Sequence, residues 1–187
     1  TPAPYRGWGY VVERLKKDGL SDAEVDAVYL DSQMPELTFV PFSAVPRQGA
    51  GAYRRFFRAP ILKDGRDFLH ANAKSFIAAE KRYKVNRYVI AAILLVESHF
   101  GAHTGRELCI NRLSRLASVA APDNFERNVL EQQKKDRKVT REQLAARARF
   151  LERTFYPEVK ALFHIARRAK VDILGIRGSS AGAFGMP

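Results

Sequence analysis

One cysteine, Cys109, stands in the whole sequence, so no internal disulfide can form, and a lone thiol of this kind reads as a small buried hydrophobe. Histidine is scarce and badly spaced for a metal. His99 and His103 are four apart but have Gly101 between them, and His70 and His164 stand alone, so neither a metal nor another cofactor is expected. Long apolar runs are missing too. The longest, Tyr88 to Val96, is nine residues, half of the ~18 needed to cross a membrane, and it reads as a buried helix. The start, Thr1-Pro2-Ala3-Pro4, has no charged-then-apolar leader. That pattern fits a cytosolic chain, or one whose signal was removed before Thr1, with attachment to a membrane through a processed or lipidated N-terminus left open. Acidic residues are in short supply: 20 Asp and Glu face 32 Lys and Arg, a net charge of +12. This balance favours an anionic partner such as nucleic acid, an anionic lipid or an acidic cell-wall polymer.

What is present is ordinary for a folded domain: 46% hydrophobic and 28% charged residues over 187 positions. The pattern is mostly α, without an internal repeat. Arg6 to Lys17 carries Trp8, Val11, Val12 and Leu15 on one stripe, and Ser21-Asp22-Ala23-Glu24 is a capping-box pattern opening a second short helix. Together they predict an N-terminal helical hairpin. Pro35 to Pro60 follows as an extended segment, with Tyr53, Phe56 and Phe57 interleaved with Arg54, Arg55 and Arg58. Those aromatics could stack on sugars or bases, and the plainer reading is that they tack the segment to the core. Further helices are expected over Asp64–Tyr83, Arg87–His99 ended by Gly101, Glu107–Val119 and 123–136. Thr140-Arg141-Glu142-Gln143 caps another through Phe155, with Pro157 either kinking it or starting its continuation to Lys170. Pro122 is expected to break the chain, and Val171–Ile176 is the one β-like run after residue 60.

Glu97 is the anomaly. Ile90, Ile93, Leu94 and Glu97 are spaced i, i+3, i+4, i+7, which puts a carboxyl on an apolar stripe, and no other acid lies between Glu80 and Glu107. Apolar surroundings favour the protonated carboxyl, the form a general acid needs. The plainer alternative is a carboxylate that reaches water at the helix end or pairs with an arginine.

The residues around it carry a resemblance. Val96-Glu97-Ser98-His99-Phe100-Gly101, followed by Thr104-Gly105, resembles the catalytic motif of the lytic murein transglycosylases. Gly178-Ser179-Ser180-Ala181-Gly182-Ala183-Phe184-Gly185-Met186-Pro187 resembles the second motif of their membrane-bound lytic murein transglycosylase B branch. The two stand in the family's order, about 80 residues apart, and the likeness extends upstream through Asp64–Tyr83. The resemblance implies a lysozyme-like α fold divided into 1–60, the hairpin and extended segment packing on the core, and 61–187, a catalytic domain cut within the second motif. It implies cleavage of the β-1,4 bond between N-acetylmuramic acid and N-acetylglucosamine in peptidoglycan glycan strands, in the periplasm or cell envelope, by a monomer. Glu97 would protonate the leaving oxygen and take the proton back from the C6 hydroxyl as it closes a 1,6-anhydro ring, so the second carboxylate of most glycosidases is not required. Ser179 matches the serine that hydrogen-bonds the catalytic carboxylate, while Ser98, Phe184, Gly185 and Met186 match positions lining the sugar subsites. The family's glutamine after the Met-Pro pair, its later Ala/Tyr/Asn motif and the calcium loop of some relatives have no counterpart here, and arginines near the stem peptide have no match around Pro122-Asp123-Asn124.

Two other functions remain open at this point. One is a glycan-binding relative without catalysis. The other is a basic helical nucleic-acid binder, resting on Lys134, Lys135, Arg137, Lys138 and Arg141, although these alternate with acids and no helix-turn-helix or finger pattern accompanies them.

Overall fold

Ser21 and Glu24 close the expected capping box: the Glu24 carboxylate accepts from the Ser21 backbone N–H at 3.3 Å, and the Glu24 N–H is held by the Ser21 hydroxyl. This box opens α2 (Asp22–Tyr29), which follows α1 (Gly9–Lys17) in a helical hairpin. The structure, a computed structural model, describes residues 5–44, 50–102, 105–135 and 138–178. Its described residues fall into two compact units. The first lies within Thr1–Pro46 and Arg106–Ala183, the second within Arg47–Gly105 and Phe184–Pro187.

In the first unit the apolar stripes of four helices meet. Trp8 at the N-cap of α1, Val11, Val12 and Leu15 of α1 and Val25, Val28 and Tyr29 of α2 share one core with α6 (Cys109–Ala117) and α8 (Arg141–Ala169). Cys109 is buried there as a small apolar group, and burial pushes its thiol pKa up. Pro157 lies inside α8, which runs on without interruption. Proline costs a helix interior about 3 kcal/mol. Tyr156, Val159, Leu162 and Phe163 are all buried beside it, and burying such side chains stabilises by about 1.5–3 kcal/mol each, which outweighs that cost. Pro122, read as a breaker, is instead the first residue of α7 (Pro122–Lys135), where its missing N–H has no helical partner to lose.

Among the described residues no strand pairs with the extended segment 35–44. Two asparagines of α7 supply its partners. Asn124 accepts from the Val40 N–H at 2.8 Å, and Asn128 accepts from the Phe42 N–H at 2.9 Å while donating to the Val40 carbonyl at 2.9 Å. Asn128 is fully buried. Asn128→Ala is expected to cost about 2 kcal/mol because it strands the Phe42 amide, read as a lower urea midpoint with unchanged slope. An unaltered midpoint would mean that water replaces the side chain. Val171–Ile176 does not form a strand: Asp172 caps a 3-10 turn at Ile173–Gly175. The pairing falls just beyond it, where β1 (Glu107–Leu108) runs antiparallel to β2 (Arg177–Gly178).

The second unit holds a 3-10 segment (Ala50–Phe57) and α3 (Ala59–Ala71), α4 (Ala73–Tyr83) and α5 (Arg87–Ser98). The single helix expected over Asp64–Tyr83 is two. Asn72 leaves helical geometry at φ −110°, and its side-chain amide donates to the Phe68 carbonyl, competing with the backbone ladder. Pro60 sits in the first turn of α3, so that helix begins earlier than read. Arg87 anchors the start of α5 to α4 through a 2.9 Å ion pair with Glu80, whose carboxylate also accepts the Arg87 N–H.

Candidate active site

α5 begins where expected, with Asn86 accepting the Tyr88 N–H. Its burial differs from the sequence reading. Ala91, Leu95 and Ser98 form the buried face, whereas Ile93 is 52% exposed and Tyr88, Val89, Val96 and Glu97 are exposed as well. The apolar stripe therefore exists but is not the face this unit buries, and Glu97 is open to solvent. The Tyr88–Val96 run is half-open for the same reason.

The helix ends at Ser98, within one residue of the expected His99. His99 and Phe100 both take left-handed backbone conformations, at φ 48° and 58°, and their N–H groups return to the carbonyls of Leu95 and Leu94. Two successive non-glycine residues in this region store strain of about 1–3 kcal/mol each. Packing holds them there. The Phe100 ring stacks on Phe68 of α3 at 4.5 Å between centroids, and Phe68 meets Phe76 of α4 edge-on at 5.9 Å. The Phe100 ring also lies over Gly65 of α3, where an added Cβ would meet it at 3.5 Å, an ordinary van der Waals contact. Ser98, expected to contact sugar, is 4% exposed, and its hydroxyl donates to the Leu94 carbonyl and accepts the Gly101 N–H at 3.0 Å. That hydroxyl closes the turn after Glu97, and Ser98 also lines the cavity onto which Glu97 opens.

Glu97 opens onto a cavity of about 410 Å³ whose wall includes Arg55, Phe56, Ile61, Val96 and His99. Arg55 lies over the Phe56 ring at 4.8 Å, and His99 Nε2 is 3.8 Å from an Asp64 carboxylate oxygen. One ionisable carboxyl thus shares a concave surface with a guanidinium, an aromatic ring and an imidazole, which suits proton exchange with a ligand held on the ring. Arg55 and Phe56 line this cavity, although the plainer sequence reading has the aromatics of this segment packing on the core rather than stacking on sugars. The interleaved Arg and Phe between 53 and 58 was the available signal, and Phe57, 74% exposed, is not tacked to the core either. Ser179, Phe184, Gly185 and Met186 lie outside the described residues. No group of three His, Cys, Asp or Glu able to hold a metal occurs among the described residues.

The family model of the transglycosylase SLT domain matches residues 6–187. The chain belongs to the transglycosylase SLT domain family. Among solved structures, this SLT domain is similar to the soluble lytic transglycosylase SltB1 from Pseudomonas aeruginosa, with a TM-score of 0.59 and 22% identity over 94% of this chain. The match covers 51% of the SltB1 chain, so this SLT domain spans about half the length of that relative. No curated protein matches it significantly in sequence. The likeness in fold agrees with the expected mostly α, lysozyme-like architecture.

Proposed function

We propose that the chain carries the catalytic glutamate of a peptidoglycan lytic transglycosylase and that Glu97 is that residue. The observation carrying this reading is Glu97 itself, the one carboxyl among the described residues in the wall of its cavity, placed at a strained helix end in a chain of the SLT family. In this reading Glu97 gives its proton to the oxygen between N-acetylmuramic acid and N-acetylglucosamine as the C1–O bond breaks. The C6 hydroxyl of the muramic acid then bonds to C1 and returns a proton to Glu97, so the carboxyl ends as it began and no water is consumed. Phe56 offers an apolar surface to a sugar ring, and Arg55 offers donors to its oxygens. Ser98 holds the turn that follows Glu97 and lines the same cavity beside the sugar. By the resemblance of their motif, Ser179 is assigned to support of the catalytic acid, and Phe184, Gly185 and Met186 to the sugar subsites.

The substrate places the protein in the cell envelope, in the periplasm. The net charge of +12 suits a polymer whose stem peptides carry carboxylates. Mass spectrometry of soluble products from purified peptidoglycan tests the chemistry. Anhydro products, about 18 Da lighter than hydrolysed muropeptides, support the lyase reaction, and hydrolysed products alone would overturn it. Binding to peptidoglycan without products would favour the non-catalytic relative. Ser179→Ala is expected to lower the rate by about 10- to 100-fold with little change in substrate affinity, since it supports the acid without replacing it. An unchanged rate removes Ser179 from the site.

A further inference from the structure

The two sides of α8 are unlike. Leu144, Ala148, Leu151, Val159 and Leu162 lie on the side that the first unit buries. Opposite them, exposed positions recur at helical spacing from Ala146 to Arg168. Arg149, Arg153 and Arg168 are among these, and so are two large apolar side chains, Phe150 (49% exposed) and Ile165 (57% exposed). Ala146, Pro157 and Ala161 fill the spaces between them without a long side chain. At 1.5 Å per residue this ribbon runs for about 33 Å.

The ribbon is positive along its length. None of the exposed residues of α8 after Glu142 is acidic. Cations at its margins are matched: Arg141 pairs with Glu126, Lys160 with Asp18 at 3.0 Å and Arg167 with Glu24 at 3.0 Å. Arg149, Arg153 and Arg168, in contrast, make no ion pair among the described residues. Arg147 adds a fourth guanidinium, which lies over the Phe150 ring at 5.0 Å and sets a cation directly against an exposed apolar group.

A face meant only for water needs neither Phe150 nor Ile165. A nucleic-acid duplex would take up the arginines but has no apolar volume along its backbone for those two side chains. An anionic bilayer offers both partners, phosphates to the guanidinium groups and acyl chains to the apolar groups. The spacing suits a helix lying flat. Phe150 and Ile165 are fifteen residues apart, about 22 Å along the axis and only about 60° apart around it, so both reach the same depth. No helix among the described residues is long and apolar enough to cross a membrane, which makes the contact one of surface and not of span.

We propose that the outward face of α8 is a docking surface for an anionic membrane, with Arg149, Arg153 and Arg168 on the lipid phosphates and Phe150 and Ile165 entering the interface between headgroups and acyl chains. This surface is separate from the Glu97 cavity and stands whether or not Glu97 is catalytic.

The test is flotation of the full chain with vesicles of phosphatidylcholine alone, or of equal parts phosphatidylcholine and phosphatidylglycerol. Binding is expected to the mixed vesicles, and it should weaken as salt is added. Replacing Arg149, Arg153 and Arg168 together by Gln is expected to lower the affinity about 100-fold, or about 5-fold for each arginine. All three positions are exposed, so the melting temperature should hold. Arg66→Gln, Lys74→Gln and Lys81→Gln together remove the same charge from exposed positions elsewhere, and should cost less than about 3-fold because distant charges are screened. Phe150→Ser with Ile165→Ser is expected to lower the affinity about 10-fold. Failure to bind the mixed vesicles, or an equal loss in the two triple variants, would overturn the assignment. So would undiminished binding in the serine variant, or short duplex DNA bound as tightly as the vesicles.

Discussion

Glu97→Gln is expected to abolish release of anhydro products, a loss of about 1000-fold or more, while leaving the melting temperature almost unchanged. The amide keeps the shape of the side chain and its reach into the cavity, but it has no ionisable proton to give to the leaving oxygen. Position 97 is exposed, and substitutions at such positions usually change stability by less than about 0.5 kcal/mol. The turn that follows does not use the Glu97 side chain either, since Ser98 and the backbone N–H groups of His99 and Phe100 make its hydrogen bonds. Product analysis beside a thermal melt reads both effects. Activity that survives in the Gln variant would remove Glu97 from the chemistry, and a large fall in melting temperature would make it a structural residue.

Trp8→Ala is expected to cause the largest loss of stability, about 3–5 kcal/mol. Trp8 is fully buried where α1, α2, α6 and α8 meet, and its ring packs against Tyr29 at 5.8 Å between centroids. Its indole N–H donates to the Pro35 carbonyl at 2.7 Å, tying the start of the extended segment to the hairpin. Truncation removes the ring and leaves that carbonyl without its partner. A domain stable by about 5–15 kcal/mol loses a large share of its margin in this way. Urea unfolding followed by circular dichroism should show the drop in midpoint. A change below about 1 kcal/mol would mean that the core collapses around the gap.

Local order was readable wherever a short-range rule acts alone. The capping boxes at Ser21 and Thr140 mark helix starts because their partners are three residues away. Asn86 marks the start of α5 by the same logic. Errors arose where two local rules competed or where packing decided. Pro122 looked like a breaker and opens a helix instead, and Pro60, read as the end of the extended segment, lies in the first turn of α3. Asn72 looked like an ordinary helical position, yet its side-chain bond to Phe68 splits the helix. Pro157 remains inside a continuous helix because the core on both sides of it holds that helix in place.

The sequence by itself determined that this protein is helical and basic, that Glu97 closes a helix, and, through its two motifs, which family it resembles. These are properties of residue spacing and residue type, which act over a few positions. Only the tertiary structure decided which face of α5 is buried, because the apolar residues encircle much of that helix and periodicity cannot say which of them finds a neighbour. The same holds for the hydroxyl of Ser98 and for the places of Arg55 and Phe56 beside Glu97. Each depends on contacts between residues more than thirty positions apart or on competition for one hydrogen bond, and no local pattern encodes either.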